Sequence, residues 1–369
     1  MPMNHHRAAC LWLLLGALGL PAGRTLAQSF PMTMEGYSVV SQLTPAPVRS
    51  TAPLAAPYRA VCVGTNLQVV DESDPAHVRI VSQMTLPGPA LDLLVRGSTL
   101  YIAAGQFGII LLDVSNPLAP SYLSGFKTAN ASVLAMNEGG KVLYAAGGAS
   151  QFEAINVSDP LRLKSASYGY VPKSVISDLA VVNQTLIAAC GGKGLVVFNL
   201  DRPGNPLQVH RFEGLEAAYR LSIDPVSQSL VAVADGDLGL ALVSFPSWKT
   251  PTLKGSLSFP TQAMDVKFLP GTDQVVVALG SGGYAVVDVT DRSAPVALSQ
   301  PATPAPALTV TTSGARPYLL CSGSGLFSLN ASNPAHPVTT LAVAGQEVFG
   351  ALALTGSTVY VTRGQAIQI

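Results

Sequence analysis

Residues 110–117 read Ile110-Leu111-Leu112-Asp113-Val114-Ser115-Asn116-Pro117, and the same phrase returns along the chain. A short hydrophobic run ends on Asp, Asn or Ser, and a Pro-containing turn follows. The other copies are Leu67-Gln68-Val69-Val70-Asp71, Glu153-Ala154-Ile155-Asn156, Val196-Val197-Phe198-Asn199, Ala241-Leu242-Val243-Ser244, Ala285-Val286-Val287-Asp288 and Phe327-Ser328-Leu329-Asn330. Successive end residues, the anchors of the repeat, lie 42, 43, 43, 45, 44 and 42 positions apart. An eighth copy, Gln365-Ala366-Ile367-Gln368-Ile369, stops where its anchor would come. Self-similarity at a fixed period of this size signals a repeat architecture whose units bury their faces against one another.

Working outward from the anchor, a second strand starts twelve residues earlier at Tyr101, Tyr144, Ile187 and Tyr318, and Tyr360 marks it in the last copy. A Gly-rich link such as Cys190-Gly191-Gly192-Lys193-Gly194 joins the two, which is a hairpin signal. A third run precedes the pair, as in Leu91-Asp92-Leu93-Leu94-Val95, and a fourth follows the anchor turn, as in Pro120-Ser121-Tyr122-Leu123-Ser124-Gly125-Phe126. Four short strands in about 43 residues is the spacing of a β-propeller blade. The fold class expected is therefore all-β, a propeller of four-stranded antiparallel blades.

Naming the strands a to d from the channel outward, blade 1 is expected to use 51–57, 58–64, 66–71 and 78–84. The last copy supplies only 347–354, 358–363 and 365–369, while a spare strand of fourth-strand pattern, Tyr37-Ser38-Val39-Val40-Ser41-Gln42-Leu43, stands at the other end. Pairing 37–43 with 365–369 would complete eight blades and hide two sheet edges. Seven blades is the alternative count.

Ile110–Pro117 and Val286-Val287-Asp288-Val289-Thr290-Asp291 resemble the LVIVD-repeat family of secreted propeller proteins, and the likeness extends over nearly all of residues 37–369. It implies the fold and an extracellular or envelope location, and no agreed activity. The copy ending at Ser244 departs most, having lost the acidic anchor, and Pro53 and Pro57 bracket the innermost strand of the first unit.

Composition agrees with a packed β structure. Of 369 residues, 48% are hydrophobic and 11% charged, a balance opposite to that of a disordered chain, while 34 Gly and 28 Pro leave almost no helix-length gap. Residues 1–27 form a secretory signal: Arg7, an apolar run over 8–20, then Thr25-Leu26-Ala27 before the cut. Thirteen apolar residues are short of the ~20 that span a bilayer, so cleavage is expected and no membrane segment thereafter. Residues 28–36 are a linker and 37–369 the propeller. Acidic and basic residues number 21 each, and removing Arg7 and Arg24 leaves 19 against 21, a mature charge near −2. Such a chain has no basic field for phosphates, so nucleic acid is not an expected partner. The mature protein is expected to be an exported monomer in the periplasm, at the cell surface or outside the cell.

Few residues have the spacing that chemistry requires. Cys62, Cys190 and Cys321 each lie nine positions before an anchor, hence at one place on strand b of blades 1, 4 and 7. Places so far apart exceed the ~7 Å Cα limit of a disulfide. The expectation is three small buried hydrophobes and no disulfide. His77 and His336 fall in equivalent turns, which leaves them unable to converge with His210 on a zinc ion or a catalytic triad. Asn130, Asn156, Asn183 and Asn330 begin N-x-Ser/Thr sequons, of which two coincide with anchors. The anchors Asp71, Asp113, Asn156, Asn199, Asp288 and Asn330 precede Ser, Thr and Pro, the setting of a side chain that caps its own turn.

One constellation points to a ligand. Asp92, Asp178, Arg220 and Asp265 start strand a in their blades, at one mouth of the channel, where the other blades carry Val133, Leu308 and Gly350. The b–c tips, including Asp235-Gly236-Asp237, are expected on the same side. Carboxylates and a guanidinium around a pore can grip a polar ligand or a divalent cation such as calcium; the structural reading is that each Asp satisfies turn amides. Trp248 is the only tryptophan beyond the signal, and neither Trp docking motifs nor Asp-box turns occur. The first functional expectation is a binding scaffold without a cofactor, recognising an extracellular or envelope protein or glycan through channel-mouth loops. An enzyme or cation-dependent binder using Asp92, Asp178 and Asp265 ranks second, and a structural envelope component third.

Overall fold

A computed structural model describes residues 48–74, 78–246, 250–313, 316–322, 325–344, 349–355, 358–363 and 366–368. Blade 2 shows how a repeat folds. Its strands are Asp92–Arg96 (a), Thr99–Ala103 (b), Ile109–Asp113 (c) and Ser121–Phe126 (d), each antiparallel to the next. Strands b and c are continuous apolar runs because both faces of the blade are covered. Alternation sends Leu100, Ile102 and Leu112 toward blade 1 and Tyr101, Ala103 and Leu111 toward blade 3. Strand d faces solvent, and its pattern loosens accordingly.

Seven such four-stranded sheets occupy 48–85, 92–126, 133–170, 178–212, 220–257, 265–299 and 307–344, each built from consecutive strands. Among the described residues the core is correspondingly divided into seven hydrophobic clusters, one per seam between neighbouring blades of the ring. Val61, Val63 and Val70 of blade 1 pack on Tyr318, Leu320 and Leu326 of blade 7, and this contact closes the ring. The expectation of eight blades is thus corrected to seven, the smaller count. The eighth copy makes a three-stranded sheet of its own, Phe349–Thr355, Thr358–Arg363 and Ala366–Gln368. Residues 37–43, expected as its fourth strand, lie outside the described residues, as do the signal at 1–27 and His77 and Trp248. Strand a of blade 1 is Val48–Pro53, earlier than the expected 51–57, with a register shift between Val48 and Ser50.

The b–c hairpins fix the seams on the channel-mouth side. Gly105, Gly191, Gly236 and Gly280 form backbone bridges with Ala131, Ala218, Ala263 and Ala307, the first three just before strand a of the following blade and Ala307 at its first residue. The glycine that closes each of these hairpins has no substitute. At Gly194 φ is +68°, and an added Cβ would stand 2.0 Å from the Phe212 carbonyl oxygen on strand d.

Candidate functional site at the channel mouth

Because strands alternate in direction, the starts of strand a, the b–c tips and the d–a loops all lie on one face. The registers place Ser50, Asp92, Val133, Asp178, Arg220, Asp265 and Thr309 in equivalent positions around the channel. Thr309 replaces the expected Leu308 because a bulge between Ala307 and Thr309 shifts blade 7 by one residue. Carboxylates therefore occupy blades 2, 4 and 6, alternating with neutral residues and one guanidinium.

All three carboxylates do the same thing. One oxygen accepts from the next residue's amide and the other from an amide of the following blade. Asp92 accepts from Leu93 N at 2.9 Å and Leu134 N at 2.9 Å, Asp178 from Leu179 N at 2.9 Å and Leu221 N at 2.8 Å, and Asp265 from Val266 N at 2.8 Å and Val310 N at 3.0 Å. Ser50 Oγ adds a 3.3 Å bond to Asp92, joining blade 1. Between blades 5 and 6, Ser222 Oγ takes the equivalent role by accepting from Phe268 N at 3.0 Å. These residues are staples across seams.

They also form one electrostatic group. Arg220 Nη1 stands 3.7 Å from Asp178 Oδ1 and donates to the Ser177 carbonyl at 3.4 Å. Burial pushes Asp92 up to about 6, against the pull of the Arg220 guanidinium and the Leu134 amide, and the Asp178 carboxylate pushes the same way as burial. Burial raises Asp265 too, opposed by Lys267 and Arg220. Burial works against the charge of Arg220, but Asp178, Asp265 and Asp92 outweigh it and hold its pKa above the ordinary value. Among the described residues no group of three His, Cys, Asp or Glu side chains is arranged to hold a metal ion.

The Asp235–Asp237 pair divides. Asp235 is buried and accepts from Ala217 N at 2.7 Å and Glu216 N at 3.3 Å, holding the loop before blade 5 against the hairpin; burial raises it. Asp237 projects into solvent beside Leu238. The face around the mouth carries large exposed apolar side chains that the repeat pattern did not single out. They are Phe107, 57% exposed over Gly88, together with Tyr170, Val175, Leu238 and Leu308. Their signal was present in the sequence as departures from the glycine-rich hairpin and polar-turn rule.

The other singled-out residues have local roles. Each anchor's Oδ1 accepts an amide two residues on: Ser73 for Asp71, Ser115 for Asp113, Ser158 for Asn156, Asp201 for Asn199, Thr290 for Asp288 and Ser332 for Asn330. The three cysteines are free and buried. They do not share one place, however. The blade 1 hairpin is one residue shorter, since Tyr58 pairs Asp71 whereas Thr185 pairs Asn199, so Cys62 faces the following blade while Cys190 and Cys321 face the preceding one. His210 is half-buried on strand d and His336 is exposed in a turn. A cavity of about 270 Å³ on the opposite face, lined by Asn137, Glu138, Gln184 and Asp201, contains none of the candidate residues.

Comparison with known proteins matches this architecture. The chain resembles Sqt1 of Saccharomyces cerevisiae with a TM-score of 0.65 at 12% identity, covering 87% of this chain and 94% of that one. A chain of the mitotic checkpoint complex gives a TM-score of 0.61 at 14% identity, covering 80% and 96%. At these identities the likeness shows the fold alone. No curated protein matches the sequence. The LVIVD repeat family matches residues 87–128, the stretch from the last turn before blade 2 to just past its strand d. With that repeat set in a ring of equivalent sheets, the chain is a β-propeller that carries an LVIVD repeat in blade 2.

Proposed function

We propose that this propeller is an exported binding scaffold that takes a protein partner on its channel-mouth face. The observation that carries the reading is the apolar rim: Phe107 and Leu238 on hairpin tips, Val175 on a loop, and Tyr170 and Leu308 at strand ends stand exposed on rigid blades. Exposed aromatic and aliphatic side chains on a preorganised surface favour protein association. The signal-like residues 1–27 support export. The second reading, a cation or catalysis at Asp92, Asp178 and Asp265, asks each carboxylate to give up seam amides that it already satisfies.

The test is capture from envelope and secreted fractions by residues 28–369. A Phe107→Ser/Leu238→Ser variant is compared with a control on the opposite face, Leu161→Ser/Val226→Ser. A partner held by the wild type and the control and lost by the first variant is expected. Equal capture by all three, or loss in the control alone, refutes the assignment, and binding to a glycan array with no protein captured would transfer the face to glycans.

A further inference from the structure

The seam between blade 7 and blade 1 is built differently from the rest. The registers align Thr51, Arg59, Gln68 and Glu72 of blade 1 with Leu93, Leu100, Ile110 and Val114 of blade 2. In blade 2 these four apolar side chains fill the seam toward the preceding blade. Blade 1 replaces every one of them with a polar group. Arg59 is 0% exposed; its Nε donates to Glu72 Oε1 at 2.5 Å, its Nη1 to Thr51 Oγ1 at 2.8 Å, and its guanidinium lies 4.6 Å from the centre of the Tyr318 ring of blade 7. Among the described residues its Nη2 and the Oε1 of the buried Gln68 have no hydrogen-bond partner. Blades 3 and 4 keep the apolar pair at the Arg59 and Glu72 positions, Leu143–Val157 and Leu186–Leu200.

Burying a cation, a carboxylate and an orphaned amide oxygen where neighbours bury Leu, Ile and Val gains little for the closed seam. The same groups lower the cost of wetting that face, as the polar outer faces of terminal repeats do in stacked-repeat proteins. Among the described residues no strand of blade 1 pairs with a strand of blade 7, as at every other seam, so side-chain packing holds the two sheets together. We propose that the ring opens at the blade 7–blade 1 seam, with Arg59, Glu72 and the Tyr318 ring as its latch. Opening there uncovers the blade 7 face around Leu320 and Leu326 and widens the channel between Ser50 and Thr309.

The test places a thiol in the seam. Cys62, Cys190 and Cys321 already stand buried in the seams between blades 1 and 2, 3 and 4, and 6 and 7, and serve as internal standards. In a Val70→Cys variant of the full chain exposed to N-ethylmaleimide, with sites assigned by tandem mass spectrometry, the introduced thiol is expected to react at least tenfold faster than Cys190 or Cys321. Restoring the apolar pair with Arg59→Leu/Glu72→Val in the same background is expected to slow it to within about threefold of the native thiols. If Val70→Cys loses its β-sheet circular dichroism, Leu326→Cys on the blade 7 side replaces it. An introduced thiol that reacts no faster than Cys190, or a rate that apolar restoration leaves unchanged, overturns the proposal.

Discussion

The same substitution, Asp to Asn, should be costly at one class of aspartate in this ring and nearly neutral at the other. At Asp178 both carboxylate oxygens accept backbone amides, Leu179 N on one and Leu221 N of the following blade on the other. An amide side chain has one oxygen, so Asp178→Asn turns an NH2 group toward one of two N–H donors. The lost charge-assisted bond is worth about 1.5–3 kcal/mol. The 3.7 Å contact with the partly exposed Arg220 adds at most about 1 kcal/mol. The expected destabilisation is about 2–4 kcal/mol on these two contributions. At the anchor Asp288 only Oδ1 is engaged, by Thr290 N at 2.8 Å and Thr290 Oγ1 at 2.6 Å, and Asp288→Asn should stay within about 0.5 kcal/mol. Denaturant unfolding of residues 28–369 at neutral pH, followed by circular dichroism, measures both. If the two variants shift the transition equally, or Asp288→Asn shifts it more, the two-acceptor argument fails.

Three further outcomes follow from the geometry. Gly194→Ala places a Cβ 2.0 Å from the Phe212 carbonyl oxygen and should lower the melting temperature sharply, whereas Gly97→Ala, with open space and a φ of +57°, should cost only the ~1–2 kcal/mol of a left-handed residue. Asp92 has a folded pKa of about 6, above its ordinary value, so the native state holds that proton more tightly than the unfolded chain. Its contribution to stability therefore falls as pH rises from about 4 through 6 and is constant above. A carboxyl carbon titration of Asp92 by NMR should have its midpoint near 6, and a midpoint in the usual carboxylate range contradicts the burial argument. Tyr144→Phe removes a 2.9 Å bond to the Pro203 carbonyl across the seam between blades 3 and 4 and should cost about 1 kcal/mol in thermal or denaturant unfolding.

The distinction between the aspartates can be read in the sequence once the geometry is known. Anchors alternate freely between Asp and Asn, as at Asp113 and Asn156, because one oxygen suffices. The staples at 92, 178 and 265 are all Asp because two oxygens are needed. Strand order, hairpin positions and the shared channel-mouth face followed from the period alone, since each blade repeats one pattern of burial. The period did not reveal places where a residue is gained or lost inside a repeat. The bulge before Thr309 and the shortened hairpin at Val63–Asn66 each reverse which face a side chain meets, and spacing to the anchor cannot register that. The blade count was also beyond it, because closure depends on how the face bearing Arg59 meets Tyr318, a matter of packing between residues far apart in sequence.

Since all seven ring blades are made of consecutive strands, none waits for a distant segment to complete its sheet. A chain emerging from synthesis can finish blade 1 once Thr85 is free and dock each later blade on the one before. Non-local pairing, the slow step for many β proteins, is reduced here to a single late event at the last seam. Cutting the chain between Thr85 and Asp92, or at any equivalent loop, leaves no sheet short of a strand, so such loops are the natural places to permute the termini or to shorten the ring by whole blades.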